Sequence, residues 1–129
     1  MYRWDGSAWK RQNNIFSYYA QYSQRVSTTS AVVGTNTLNC TALAAGYIRV
    51  ITNISAWNSI TNNTRTWLHG FISSVERCMK NQASPGINGV VSWQGKLVLK
   101  AGDYVRAIYE GCVAGDDLYL DVVGYDMEV

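Results

Sequence analysis

Tyr47-Ile48-Arg49-Val50-Ile51-Thr52-Asn53-Ile54-Ser55-Ala56-Trp57 is the stretch on which the fold turns. Side chains alternate across a β-strand, so Ile48, Val50, Ile54 and Ala56 share one face while Tyr47, Arg49, Asn53 and Ser55 share the other. That is the pattern of a strand with one face in a core and one in water. Ile51 and Trp57 interrupt the polar face and are candidate contact positions.

Working outward, the same period recurs between turn signals. Residues 58–64 are a polar loop, and 65–73 form a strand with Leu68 and Ile72 opposed to Trp67 and Phe71. The one proline, in Pro85-Gly86, marks a turn inside a polar connection over 81–88. A strand over 89–93 is expected to reverse at Gln94-Gly95 into 96–100. Ala101-Gly102-Asp103 leads into 104–110, and Gly115-Asp116-Asp117 into 118–126, where Leu118, Leu120 and Val122 alternate with Tyr119, Asp121 and Val123. With a strand over 37–43 the count is about eight, without a long helical period. The expected fold is all-β, a jelly-roll-like antiparallel β-sandwich, because the connections after Trp57 and around Pro85 are long enough to cross between sheets.

The N-terminus differs. Trp4-Asp5-Gly6-Ser7-Ala8-Trp9 reads as a tight hairpin, Asp-Gly being the pair that reaches the positive φ of a two-residue turn. A two-stranded ribbon is marginal in water, so its indoles need a surface to lie on. Residues 10–36 are aromatic-rich around Phe16, Tyr18, Tyr19 and Tyr22 and read as an extended arm, with Ser27-Thr28-Thr29-Ser30 as a connector. The expected division is therefore 1–36 as hairpin and contact arm, and 37–129 as the sandwich domain. Trp4, Trp9, Phe16, Tyr18, Tyr19 and Tyr22 are the protein-interface candidates.

The 129 residues suffice for one core, and 11 Lys+Arg against 9 Asp+Glu, scattered, give a net +2 and no basic run for nucleic acid. No apolar run approaches the ~20 residues of a membrane helix, and the opening lacks a signal peptide's order. Three cysteines, Cys40, Cys78 and Cys112, without Cys-x-x-Cys spacing point to buried or partly buried free thiols. His69, mid-strand, has no motif linking it to a nucleophile or metal. Asp116, Asp117, Asp121 and Asp126 read as solvated surface charge rather than calcium ligands, and nothing supports Glu76 and Glu110 as a glycosidase pair. No catalytic, metal or cofactor-binding residues are expected. Trp57 and Trp67 are the glycan-stacking candidates should the surface bind sugars.

Two parts of the chain resemble known proteins. Tyr2-Arg3-Trp4-Asp5-Gly6-Ser7-Ala8-Trp9 resembles the Trp-Asp-Gly-Ser-Ala-Trp cassette that recurs in structural proteins of tailed bacteriophages, fibre and virion proteins among them. Residues 46–125 resemble small phage β-sandwich proteins through Trp93-Gln94-Gly95, Leu97-Val98-Leu99-Lys100-Ala101-Gly102-Asp103 and Leu118-Tyr119-Leu120-Asp121-Val122-Val123-Gly124. The arm over 10–36 departs from that pattern. The resemblance implies a virion component made in the host cytoplasm that works by binding and multiplicity, with no catalytic residues to carry over.

The expectation is thus a non-enzymatic capsid decoration or cement protein, acting through the major capsid protein and copies of itself, a homotrimer in the simplest case. The alternative is a tail-fibre or tail-tip domain binding host-surface glycans, followed by a free carbohydrate-binding module. No nucleic-acid or membrane partner is expected.

Overall fold

The computed structural model describes residues 2–4, 9–11 and 19–128, and every regular element among them is a β-strand. A short hairpin, β1 (Tyr2–Trp4) and β2 (Trp9–Arg11), precedes eight longer strands: β3 (Tyr19–Thr28), β4 (Gly34–Asn39), β5 (Tyr47–Asn58), β6 (Arg65–Ile72), β7 (Val75–Ala83), β8 (Val91–Leu99), β9 (Tyr104–Cys112) and β10 (Leu118–Glu128). The eight form two antiparallel four-stranded sheets, β3-β10-β5-β8 and β4-β9-β6-β7. Successive strands change sheet except at β6 to β7, and the last strand slots between β3 and β5. This is the jelly roll that the sequence pattern predicts.

The core lies between the sheets. Ile51, Ile54, Ala56, Val91, Leu97, Leu99, Leu118, Leu120 and Val122 come from one sheet, and Leu38, Leu68, Val105, Ala107 and Tyr109 from the other. Each fully buried large side chain contributes on the order of 1.5–3 kcal/mol of transfer free energy. Tyr109 is large and polar-tipped, and its hydroxyl donates to the Tyr119 carbonyl across the core, so its burial leaves no orphan group.

Three expectations are corrected. First, residues 10–36 are not an arm throughout: β3 pairs with β10 from Thr28↔Leu118 to Tyr19↔Met127, so the sandwich begins at residue 19 rather than 37. The first half of the segment read as a connector, Ser27 and Thr28, closes this strand, because Val26 and Tyr22 have a core to pack against. Second, β8 runs straight through Gln94-Gly95. Gly95 makes room for the Trp93 indole, whose ring would lie 2.8 Å from an added Cβ, and a register shift there replaces the expected reversal. Third, β7 was hidden in a polar stretch. Ser73 and Ser74 at φ 51° and 64° make the two-residue turn that launches it, without the glycine or asparagine that usually marks such a turn.

The alternation of β5 inverts midway. The β10 ladder passes from Val123↔Asn53 to Gly124↔Ile51, leaving Thr52 as a bulge. Ile51, expected on the polar face, is fully buried in the core, whereas Val50 is buried outside it, paired with Tyr125 and Val98. Arg49, expected on the solvent face, lies partly buried instead. Its guanidinium sits 3.5 Å from the Tyr22 ring centroid and makes two bonds to Asp126, 2.7 and 2.9 Å.

The cysteines are free, but only Cys40 and Cys112 are buried; Cys78 on β7 is exposed. Burial pushes the Cys40 thiol up to about 11, outweighing the Tyr22 hydrogen bond that favours thiolate. Alkylation of native protein at pH 8 is therefore expected to modify Cys78 alone, with all three thiols reacting in denaturant; peptide mapping by mass spectrometry reads this. Gly124 packs against β5 so closely that an added Cβ would lie 2.0 Å from the Val50 carbonyl oxygen. Gly124→Ala should accordingly destabilise the protein by about 1–3 kcal/mol, seen as a lowered urea midpoint.

Candidate functional site

The N-terminal hairpin is the first candidate. Its register is Tyr2↔Arg11, Arg3↔Lys10 and Trp4↔Trp9, and β1 and β2 form a sheet of their own, paired with neither sheet of the sandwich. Pairing Trp4 with Trp9 leaves residues 5–8 as the connection, four residues rather than the tight pair that Asp-Gly suggests. Those four, with Phe16 and Tyr18, lie outside the described residues. Tyr19 opens β3 opposite Met127.

Tyr22 is partly buried rather than held out on an arm. It faces inward with Val26, packs against the core, and donates from its hydroxyl to Gln24 Oε1 at 2.9 Å. Gln24 in turn ties β3 to Thr41 through two bonds of 3.0 Å. Burial, followed by the neighbouring Cys40, raises the Tyr22 phenol above its usual range despite Arg49. An aromatic at an alternating position cannot be assigned to core or surface until its sheet partner is known.

The two sheets present contrasting outer faces. On the first, Trp57 and Tyr119 are direct cross-strand partners and stack at 5.0 Å between centroids. Arg25 lies 5.5 Å from both rings and grips Asp121 with two bonds, 2.7 and 2.8 Å. One face of the Trp57 indole is therefore taken by Tyr119, which reduces the open platform that a sugar ring would need. Asp121, expected to be solvated, is paired.

On the second face, Arg106 of β9 is the hub. It donates to Asn39 Oδ1 at 2.7 Å, to Glu76 Oε1 at 3.0 Å and to the Tyr104 hydroxyl at 2.8 Å, beside the stacked pair Phe71 and Tyr104. His69 Nδ1 lies 2.8 Å from the same Glu76 oxygen, and its buried Nε2 has no hydrogen-bond partner. His69, and then Arg106, hold the Glu76 carboxyl below its usual range. Trp67 donates its indole N–H to Glu110 Oε1 at 2.7 Å, meets His69 edge-on and lies under Arg65. Glu76 is thus kept as a carboxylate and Glu110 is oriented as an acceptor.

The strongest polar cluster escaped sequence reading. Asp116, expected on the surface, is 1% exposed in the β9–β10 turn. Its Oδ2 accepts from Asn58 Nδ2 at 2.9 Å, Thr61 Oγ1 at 2.7 Å and the Val113 amide at 2.8 Å. Burial acts to raise its pKa, but the bonds from Thr61, Val113 and Asn58 outweigh it and the carboxyl titrates below its ordinary 3.8. The signal available was Gly115-Asp116 at a turn; what it lacked was any indication that residues 58–61 sit alongside.

The fold and these surfaces define a jelly-roll sandwich, and no group of three or more His, Cys, Asp or Glu placed to hold a metal ion occurs among the described residues. No protein-family model matches the chain, and no curated protein sequence does. Solved structures do match. One described as the acid-stable capsid of Helicobacter pylori bacteriophage KHP30 superposes with a TM-score of 0.58 at 10% identity, over 87% of this chain and 96% of the other. A virus-like particle of the Macrobrachium rosenbergii extra small virus gives 0.46 at 7% identity, over 91% and 83%. The C-terminal carbohydrate-binding module of a Zobellia galactanivorans laminarinase gives 0.34 at 7% identity, over 84% and 100%. The chain thus shares its jelly-roll fold with a phage capsid structure.

Asp116 makes stability depend on acid. A depressed carboxyl stabilises the folded state above its unfolded pKa, and that stabilisation is lost as pH falls through the folded value. Urea midpoints are expected to fall from pH 5 downward more steeply in the native protein than in Asp116→Asn, which has no charge to lose there.

Proposed function

We propose that this chain is a non-enzymatic structural protein of a tailed-bacteriophage virion, a decoration or cement protein that binds the assembled shell as an oligomer, a homotrimer in the simplest arrangement. The observation that carries this reading is the division of the molecule. A sandwich whose outer-face charges and aromatics are engaged with one another follows a hairpin that pairs with neither sheet. A ribbon of three-residue strands is marginal alone, so it gains order by docking. The Trp-Asp-Gly-Ser-Ala-Trp resemblance and the fold shared with the KHP30 capsid structure support a virion as the setting.

The mechanism is mechanical. Trp4, Trp9, Phe16, Tyr18 and Tyr19 supply contacts to the major capsid protein or a neighbouring copy, and oligomerisation multiplies modest contacts into avidity. A pairwise interface of ~1,200–2,000 Å² suffices when it repeats over a shell. Glycan binding through Trp57 or Trp67 is the weaker reading, since both indoles are engaged by Tyr119 and Glu110.

Deletion of residues 1–18 tests the reading without touching β3, which a longer truncation would remove. The truncated protein should fold and yet fail to co-sediment with undecorated shells of the parent phage, and Trp4→Ala with Trp9→Ala should weaken binding at least about tenfold. Full shell binding by the truncated protein would sink the arm's role. Glycan-array binding abolished by Trp57→Ala would favour the fibre reading instead.

A further inference from the structure

Six of the ten large apolar side chains exposed among the described residues lie on four loops: Val32, Val33, Ile60, Ile87, Val90 and Val113, each between 51% and 76% exposed. The loops, 29–33, 59–64, 84–90 and 113–117, join strands at one end of the sandwich. The loops of the opposite end, 40–46, 73–74 and 100–103, expose none.

Backbone bonds tie the four loops into a row. Ala31 and Gly115–Asp116 exchange two bonds, the Ser59 amide donates to the Asp117 carbonyl, and the Asn88 amide to the Asn58 carbonyl. The Gly86 amide adds a bond to Asn62 Oδ1, and the Asp116 carboxylate holds the centre. The spatial order is therefore β3–β4, β9–β10, β5–β6, β7–β8. An apolar crest fixed in this way loses little entropy on docking.

We infer that this loop end is a self-association surface, which packs against the same end of further copies of this chain around a rotation axis. Charge selects the occupant. The four loops contain no Lys or Arg, and their two acids are Asp116, which is buried, and Asp117. Nucleic acid and anionic lipid headgroups both need cations, so neither fits. A crest whose one accessible charge is Asp117 meets its own copy with little like-charge repulsion, and closed symmetry is the usual result of self-complementary patches. Area agrees. At about 60–120 Å² per fully exposed aliphatic side chain, as transfer energies imply, the crest presents roughly 350 Å² of apolar surface. A standard interface takes about 800 Å² from each partner, a little over half of it apolar, so the crest supplies most of the apolar part of one such contact.

The inference goes beyond the virion reading and is tested without shells. Sedimentation velocity of the full chain from micromolar to millimolar concentration should show a discrete oligomer. Val33→Ser, Ile60→Ser and Ile87→Ser together should raise the concentration of half-association at least tenfold, with the circular-dichroism spectrum unchanged. Ile60→Lys should dissociate the oligomer in low salt and let it re-form in high salt, a response that damage to the fold would not give. Removing residues 1–18 should leave association intact while shell binding is lost, which separates this surface from the arm. A chain that stays monomeric at every concentration, or an oligomer indifferent to the serine variant, would overturn the inference. So would a monomer that co-sediments with phosphatidylcholine vesicles, because the crest would then be a bilayer contact.

Discussion

The sandwich depends on β10 entering the slot between β3 and β5. β3 is bonded to the rest of its sheet through β10 alone, and the pairing, from Thr28↔Leu118 to Tyr19↔Met127, joins segments at nearly opposite ends of the sandwich sequence. Closing so long a loop costs chain entropy before any contact repays it, so the strand must bring strong contacts with it. It does, with Leu118, Leu120 and Val122 fully buried on one side. Tyr119 and Asp121 on the other side meet Trp57 and Arg25 from both neighbouring strands. The turn that delivers β10 contains Asp116, whose carboxylate also fastens the β5–β6 loop. Strand insertion and loop tethering are thus parts of one event.

That arrangement distributes function by leaving some surfaces satisfied and others not. Both outer sheet faces are knitted by arginines, Arg25 on one and Arg106 on the other, each joined to carboxylates and aromatics of its own domain. Such faces resist apolar docking because a partner would have to displace bonds already made. Among the described residues the hairpin strands pair with neither sheet, and the loop end, although its loops are bonded to one another, leaves six aliphatic side chains exposed. The contacts proposed above fall on these two parts, which lie apart along the chain, so the proposed shell attachment and the proposed self-association are separable by mutation.

Legibility in the sequence followed a physical divide. Strands whose alternation is uninterrupted, such as β10, β9 and the second half of β5, were readable because burial of one face leaves a period of two. The bulge at Thr52 inverted that period and sent Ile51 to the core and Arg49 off the solvent face, which no local pattern signals. β7 was missed because it is an edge strand exposed along most of its length, so burial never selected an apolar face. Tyr22 and its neighbours suit an arm or a strand equally well, and the presence of β10 decides between them. Of the candidate contacts, Trp4 and Trp9 stand on a hairpin as expected, Trp57 and Trp67 stand on outer faces, and Tyr22 does not.

By itself the sequence determined the all-β class, the approximate number of strands, most of the apolar set that fills the core and the presence of an N-terminal hairpin. These are consequences of side-chain polarity repeating over short distances, which a chain carries wherever it folds. Tertiary structure alone decided the strand order, the start of the sandwich at Tyr19, the buried role of Asp116 and the gathering of six aliphatic residues on one end. Each of these depends on segments distant in sequence becoming neighbours. The energy of such a meeting belongs to the pair and is written in neither segment alone.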